Sequence, residues 1–146
     1  MNIVNAENRD KILIDKLFKV WKKSVKATHM FLTDDEIEKI AEYVPNALNG
    51  VAHLIIATNN DEPIAFMGIE EQKLEMLFVS PDEQGRGVGK ELLQYGIEKY
   101  NVNELGVNEQ NPQAIGFYEH MGFHVYKRSD TDEQGNPYLI LYMRLS

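Results

Sequence analysis

The stretch Gln84-Gly-Arg-Gly-Val-Gly89 sets glycine at every second position, between an apolar run ending at Val79 and a helical pattern that follows. Glycine loses more conformational freedom on folding than any other residue, so a cluster of it at a strand-to-helix junction calls for a use. Successive backbone N–H groups there can turn toward one point, with the positive end of the helix macrodipole behind them. That geometry suits an anion approaching the backbone closely.

The elements on either side make this one mixed α/β domain spanning residues 1–146, with about four helices and six or seven strands. Residues 10–28 read as a helix, from Leu13, Leu17, Val20 and Trp21 at helical spacing. Thr33-Asp-Asp-Glu36 has the form of a capping box, opening a second helix that runs through Ile37, Ile40, Ala41 and Val44. Residues 51–58, 63–70 and 73–79 read as strands, with a turn over Asn59-Asn-Asp-Glu62. The glycine stretch leads into a third helix striped by Leu92, Leu93, Gly96, Ile97 and Tyr100, where Gly96 implies close packing on a sheet. A short strand at 105–107 follows. Asn111-Pro112 opens a fourth helix as an N-cap with proline at the first helical position. Strands at 123–128 and 138–145 close the domain around a turn-rich segment.

Composition narrows the function. Fifteen Lys and Arg against 23 Asp and Glu give a net charge of −8, which argues against nucleic-acid binding. A local anion site remains compatible with that charge, and a cationic substrate fits it mildly. The chain has no cysteine, which excludes disulfides, thiol catalysis and cysteine-ligated metal. His29, His53, His120 and His124 are scattered without metal-ligand spacing, so no metal is expected. No apolar run is long enough for a membrane span, and the first residues lack a basic segment followed by a hydrophobic one. A cytoplasmic protein, monomeric or homodimeric, is the expectation.

Phosphate-binding templates then discriminate. A nucleoside-triphosphate loop needs G-x-x-x-x-G-K-[ST], but Gln84 stands at its first glycine and Glu91 at its hydroxyl position. A dinucleotide fingerprint G-x-G-x-x-G mismatches the spacing of Gly85, Gly87 and Gly89. The pattern Q/R-x-x-G-x-G/A after an apolar strand is satisfied throughout, and Arg86 and Lys90 lie close enough to add charge.

Downstream, Asn111-Pro-Gln-Ala114-Ile-Gly-Phe-Tyr118-Glu-His-Met-Gly122-Phe123 resembles the N-x-x-A-x-x-x-Y-x-x-x-G-F segment of the GNAT superfamily of acetyl-coenzyme A-dependent N-acetyltransferases. With Leu77-Phe-Val79-Ser-Pro81 and the glycine loop, the likeness holds in order and spacing from about residue 74 to 123, and the element order extends it over nearly the whole chain. Ser24-Val-Lys-Ala-Thr-His-Met-Phe-Leu32 and Asn108-Glu-Gln-Asn111 are similar to a branch of small bacterial members.

The resemblance implies a central mixed, mostly antiparallel sheet and acetyl-coenzyme A as co-substrate. It implies that the backbone of Leu77, Phe78 and Val79 pairs with the pantetheine arm, and that Gln84, Gly85, Arg86, Gly87, Val88, Gly89 and Lys90 hold the pyrophosphate. Asn111, Ala114, Phe117 and Tyr118 would complete the cofactor site, Asn111 also serving as a helix cap. Tyr118 reads as a core aromatic or as the acid that protonates the departing thiolate. A primary amine of pKa near 10.4 is free in only about one molecule in 2,500 at pH 7, so some base is needed. Glu75 leads, because simple strand alternation groups it with Leu77 and Val79, and a solvated strand carboxylate is the other reading. Thr28, His29 and Phe31 would help form the acceptor pocket, with His29 as an alternative base or a structural histidine. Direct acetyl transfer to a primary amine follows, of a small molecule or an amino acid or peptide. A protein-lysine or N-terminal acceptor, or a non-catalytic acyl-coenzyme A-binding module, is the alternative.

Overall fold

The computed structural model describes residues 1–29 and 31–146, so Met30 of the 24–32 segment lies outside the described residues. Among the described residues seven strands are present: β1 (Asn2–Asn5), β2 (His53–Asn59), β3 (Glu62–Glu70), β4 (Lys73–Val79), β5 (Glu104–Asn108), β6 (Phe123–Ser129) and β7 (Ile140–Leu145). Five α-helices accompany them: α1 (Lys11–Thr28), α2 (Asp34–Ala41), α3 (Val44–Gly50), α4 (Val88–Tyr100) and α5 (Pro112–His120). The strands form one sheet in the order β1-β2-β3-β4-β5-β7-β6, and only β4 and β5 run parallel.

Local chemistry explains the helix ends. The Asp10 carboxylate accepts from the Leu13 N–H at 2.9 Å and starts α1. Thr33 and Glu36 form the full capping box at α2, each side chain taking the other's backbone N–H at 3.1 Å. The helix expected to run through Val44 stops at Ala41, and α3 begins afresh at Val44. Pro45 is the cause: it lacks an N–H, and its ring clashes with the carbonyl four residues back, which is that of Ala41. The Asn60 and Asp61 pair adopts positive φ (52° and 65°), the left-handed geometry of a tight hairpin between β2 and β3. Gly96 lets α4 approach the sheet, since a Cβ there would sit 3.2 Å from the Met67 side chain.

Two cores sandwich the sheet. On one face α1, α2 and α3 bury Leu17, Trp21, Ile37 and Leu48 against Leu54, Ile56 and Phe66. On the other α4 and α5 cover Ile55, Met67, Ile69, Leu105 and Met143. Met76 and Phe78 pack toward the first core, whereas Leu74, Leu77 and Val79 pack toward the second. That parity change marks a β-bulge: Ile69 pairs with Leu74 and Gly68 with Met76, leaving Glu75 as the extra residue. Simple alternation therefore does not carry from Leu77 and Val79 to Glu75, which corrects the basis on which Glu75 was grouped with them.

Arg9 fastens the loop after α3. Its guanidinium donates to the carbonyls of Leu48 and Asn49 at 3.0 Å, of Val51 at 2.6 Å and of Ala52 at 3.1 Å, which satisfies orphan acceptors at the helix C-terminus. Removing it strands several partly buried carbonyls. Arg9→Ala is expected to cost about 2 kcal/mol, lowering Tm by roughly 4–8 °C in a thermal melt, and Arg9→Lys should recover only part of that.

Candidate functional site

β4 and β5 pair only at Lys73 with Glu104 and Leu74 with Leu105, then separate. From there β5 stays with β7 through Asn108, so the β5-facing edge of β4 has no strand partner toward Val79. The gap is a cleft of about 510 Å³ that reaches both faces of the sheet. Leu77, Phe78 and Val79 form one wall, and Asn111, Ala114, Phe117 and Tyr118 of α5 form the other.

At one end of the cleft lie Gln84, Gly85, Gly87, Val88, Gly89 and Lys90. Gly85 and Gly87 have φ of 79° and 77°, a region costly for residues with a Cβ. Gly87 is the N-cap of α4, and no side chain caps the helix there. The first backbone bond into the helix is Glu91 N–H to Gly87 C=O at 3.0 Å, so the amides of Val88, Gly89 and Lys90 have no intrahelical acceptor. Gly89 has a different reason to be glycine. A Cβ there would lie 3.5 Å from Val79 Cγ2 and 3.7 Å from Phe117 Cζ, so larger side chains would fill the space between the walls.

Asn111 caps α5 as expected, its Oδ1 accepting from Ala114 N–H at 3.2 Å. Its Nδ2 lies 3.5 Å from His29 Nε2 across the cleft. His29 closes the C-terminus of α1, and its Nδ1 is 2.8 Å from the Thr28 hydroxyl, which in turn donates to Ser24 C=O at 2.7 Å. Burial pushes the His29 imidazole below its usual pKa by disfavouring the charged form. Tyr118 packs edge-on against Phe117 and Phe123, at 5.3 and 6.2 Å between ring centroids. Burial raises its phenol pKa well above the ordinary value, so it stays protonated throughout the neutral range. Glu75 also lines the cleft, with its carboxylate 3.8 Å from Lys73 Nζ.

Two expected residues stand outside this lining. The exposed Arg86 guanidinium turns to Glu83 at 3.4 Å, and the Phe31 ring lies tilted against His29 at 5.4 Å between centroids. Ser24, Glu83, Asn108 and Gln113 line the cleft although sequence reasoning gave them no role. Ser24 and Asn108 lie in the two segments that carry the closer likeness, which was the available signal.

A second cavity of about 720 Å³ adjoins the first through Met76 and Phe78. Trp21, Tyr43, Phe66 and Tyr138 give it aromatic walls, and Glu36, Glu42 and Lys39 place charge around it. The Tyr138 hydroxyl donates to Glu36 at 2.7 Å, tying the segment before β7 to α2 and pushing the phenol pKa up to about 12. Among the described residues no group of three candidate ligands could hold a metal ion, and no helix is long and apolar enough to cross a membrane.

Comparison with known proteins places this geometry. A family model described as an acetyltransferase (GNAT) domain matches residues 20–145. The peptidyl-lysine N-acetyltransferase YjaB of Salmonella typhimurium is 39% identical over 127 residues, covering 87% of this chain and 88% of the relative. The solution structure of apo-form YjaB from Escherichia coli superposes with a TM-score of 0.86 at 35% identity, covering 99% of this chain and 97% of the other. The PaiA N-acetyltransferase of Thermoplasma acidophilum, solved in complex with coenzyme A, shares the fold at a TM-score of 0.69 and 22% identity, over 99% of each chain.

The left-handed glycines give a direct test of the loop. Gly87→Ala should lower unfolding stability by about 1–2 kcal/mol, measured by urea titration, because its φ disfavours a Cβ. Gly116→Ala, on α5 with open space around its Cβ position, should be neutral or slightly stabilising in the same titration.

Proposed function

The chain belongs to the GNAT acetyltransferase family, and on that premise we propose that it binds acetyl-coenzyme A between β4 and β5 and acetylates a lysine side chain of a peptide or protein. The carrying observation is the splay of β4 from β5, opening directly onto the uncapped N-terminus of α4. An extended pantetheine arm would take the place of the missing strand, pairing with the backbone of Leu77, Phe78 and Val79. The pyrophosphate would rest on the loop from Gly85 to Lys90, where the free N–H groups of Val88, Gly89 and Lys90 and the helix dipole both favour negative charge. Lys90 adds charge from within the cleft, and Arg86 can leave its exposed contact with Glu83 to do the same. Ala114 and Phe117 give the thioester end an apolar floor, and Asn111 contributes its amide at the rim.

In the reaction the amine nitrogen attacks the thioester carbonyl, the C–N bond forms and the C–S bond breaks. Tyr118 supplies a proton to the leaving sulfur. Its raised pKa keeps that proton in place at working pH, and the departing thiolate shares the same poorly hydrated surroundings. Holding the two reactants together accounts for much of the rate.

The sequence leaves the acceptor open between a small molecule, an amino acid or peptide, and a protein. The relatives named as peptidyl-lysine acetyltransferases support a lysine acceptor. The second cavity supports it too: aromatic walls suit the aliphatic stem of a lysine, and Glu36 and Glu42 suit its cationic approach. From there Met76 and Phe78 lead into the cleft.

Tyr118→Phe should bind coenzyme A within about threefold of wild type by calorimetry while kcat for thiol release falls roughly 10²-fold. Unchanged turnover would remove the acid role. In the wild-type protein kcat should show no falling limb from Tyr118 between about pH 8 and 10, because a raised pKa keeps the acid form present there. Gly89→Val should weaken coenzyme A binding by about tenfold or more, since its methyl groups enter the gap between Val79 and Phe117.

A further inference from the structure

The hydrogen bonds around His29 fix which nitrogen carries its proton. A backbone carbonyl only accepts, so the single hydroxyl proton of Thr28 goes to Ser24 C=O at 2.7 Å. The 2.8 Å contact between Thr28 Oγ1 and His29 Nδ1 must then be donated by Nδ1–H. Neutral His29 therefore has its lone pair on Nε2. Asn111 agrees from the other side: with Oδ1 committed to Ala114 N–H, it presents Nδ2, a donor, to Nε2 at 3.5 Å. The ring is also held sterically, between Phe31 at 5.4 Å and Phe78 at 6.2 Å. Its backbone is pinned by N–H to Val25 C=O at 2.8 Å and by Leu32 N–H to its own carbonyl at 3.1 Å.

We infer that His29 Nε2 is the base that takes the proton from the attacking amine, with Thr28 as the residue that positions it. The inference rests on the acetyltransferase reading above. The substrate's ammonium first loses one proton to water. As the neutral nitrogen attacks the carbonyl carbon, its acidity rises; one proton passes to Nε2 while Tyr118 protonates the sulfur. The imidazolium and the tyrosinate are then restored through solvent, leaving amide and thiol. The contact to Asn111 is long, so protonating Nε2 forfeits only a marginal hydrogen bond. Glu75 also lines the cleft, 3.8 Å from Lys73 Nζ, which itself bonds to Glu133, and among the described residues no hydrogen bond orients its carboxylate. The other titratable groups lining the cleft are Glu83 before α4, Lys90 at its start and Tyr118 on α5. None of them is a cause of the shift on His29, which comes from burial.

The test uses acetyl-coenzyme A and a lysine peptide with a blocked N-terminus, following thiol release. His29→Gln should lower kcat about 10²-fold with coenzyme A affinity unchanged by calorimetry. In wild type kcat should fall as pH drops through a value below about 6.5, because only neutral imidazole accepts the proton. That limb should vanish in His29→Gln and persist in Glu75→Gln, whatever the rate of the latter; the substrate's own ionisation is common to all three. Thr28→Val should lower kcat about five- to tenfold and Thr28→Ser should restore most of it. Long-range ¹H–¹⁵N spectra of the histidine rings should show His29 protonated at Nδ1. A limb that disappears with Glu75→Gln and survives His29→Gln would overturn the assignment, as would a proton found on Nε2. Wild-type protein that acetylates no peptide would instead overturn the lysine-acceptor reading, with the ring spectra still deciding the tautomer on which His29's role depends.

Discussion

Every feature of the site depends on a single broken pairing: β4 and β5 hydrogen-bond at two register positions and then part. β5 has a competing commitment, since it pairs with β7 at five successive positions. A Cβ at Gly106 would sit 3.2 Å from Ile140 Cγ2 and 3.3 Å from the Tyr142 ring, so these two β7 side chains occupy the space above β5 there. On the other side the bulge at Glu75 bends β4 and changes which face its later side chains present. The result is a parallel sheet edge left open in the middle of the domain. Backbone groups out of water without partners cost roughly 1–3 kcal/mol each, so such an opening persists only where solvent or a ligand satisfies them. An extended amide-bearing arm is the chemistry that fits.

The two faces of the sheet then divide the work. α4 and α5 lie on one face and bring the free amides, the small Ala114 and the half-buried Tyr118 to the gap. α1 lies on the other and ends at Thr28 and His29, whose neutral ring meets the cap of α5 through Asn111. Burial acts on both titratable side chains toward neutrality: it raises the Tyr118 phenol and lowers the His29 imidazole. A neutral hydroxyl and a neutral imidazole therefore line one cleft, which is the protonation state that the proposed acid and base roles call for.

Much of this was legible in the residues. The capping box at Thr33, the Asn111-Pro112 start of α5, the Asn59–Glu62 turn and the glycine loop each have a local cause, and each formed as the sequence implied. What escaped depended on non-local pairing. β1 carries only four residues and is specified by its register with β2. The bulge at Glu75 arises from the strand opposite, so alternation within β4 alone misplaced that residue relative to Leu77 and Val79. The split at Pro45 was readable from chain chemistry, but the apolar periodicity running on to Val44 masked it. Arg86 and Phe31 were assigned by position in a motif, which does not determine where a long or aromatic side chain turns.

Coenzyme A bound in the gap between β4 and β5 would touch both the exposed edge of β4 and the glycine loop. Titrating ¹⁵N-labelled protein with coenzyme A and following backbone amides tests this placement most directly. The largest shifts are expected at Leu77 to Val79 and Gly85 to Lys90, with amides on both stretches gaining protection from hydrogen exchange. Shifts confined to the residues of the second cavity, or an unperturbed glycine loop at saturation, would contradict the placement.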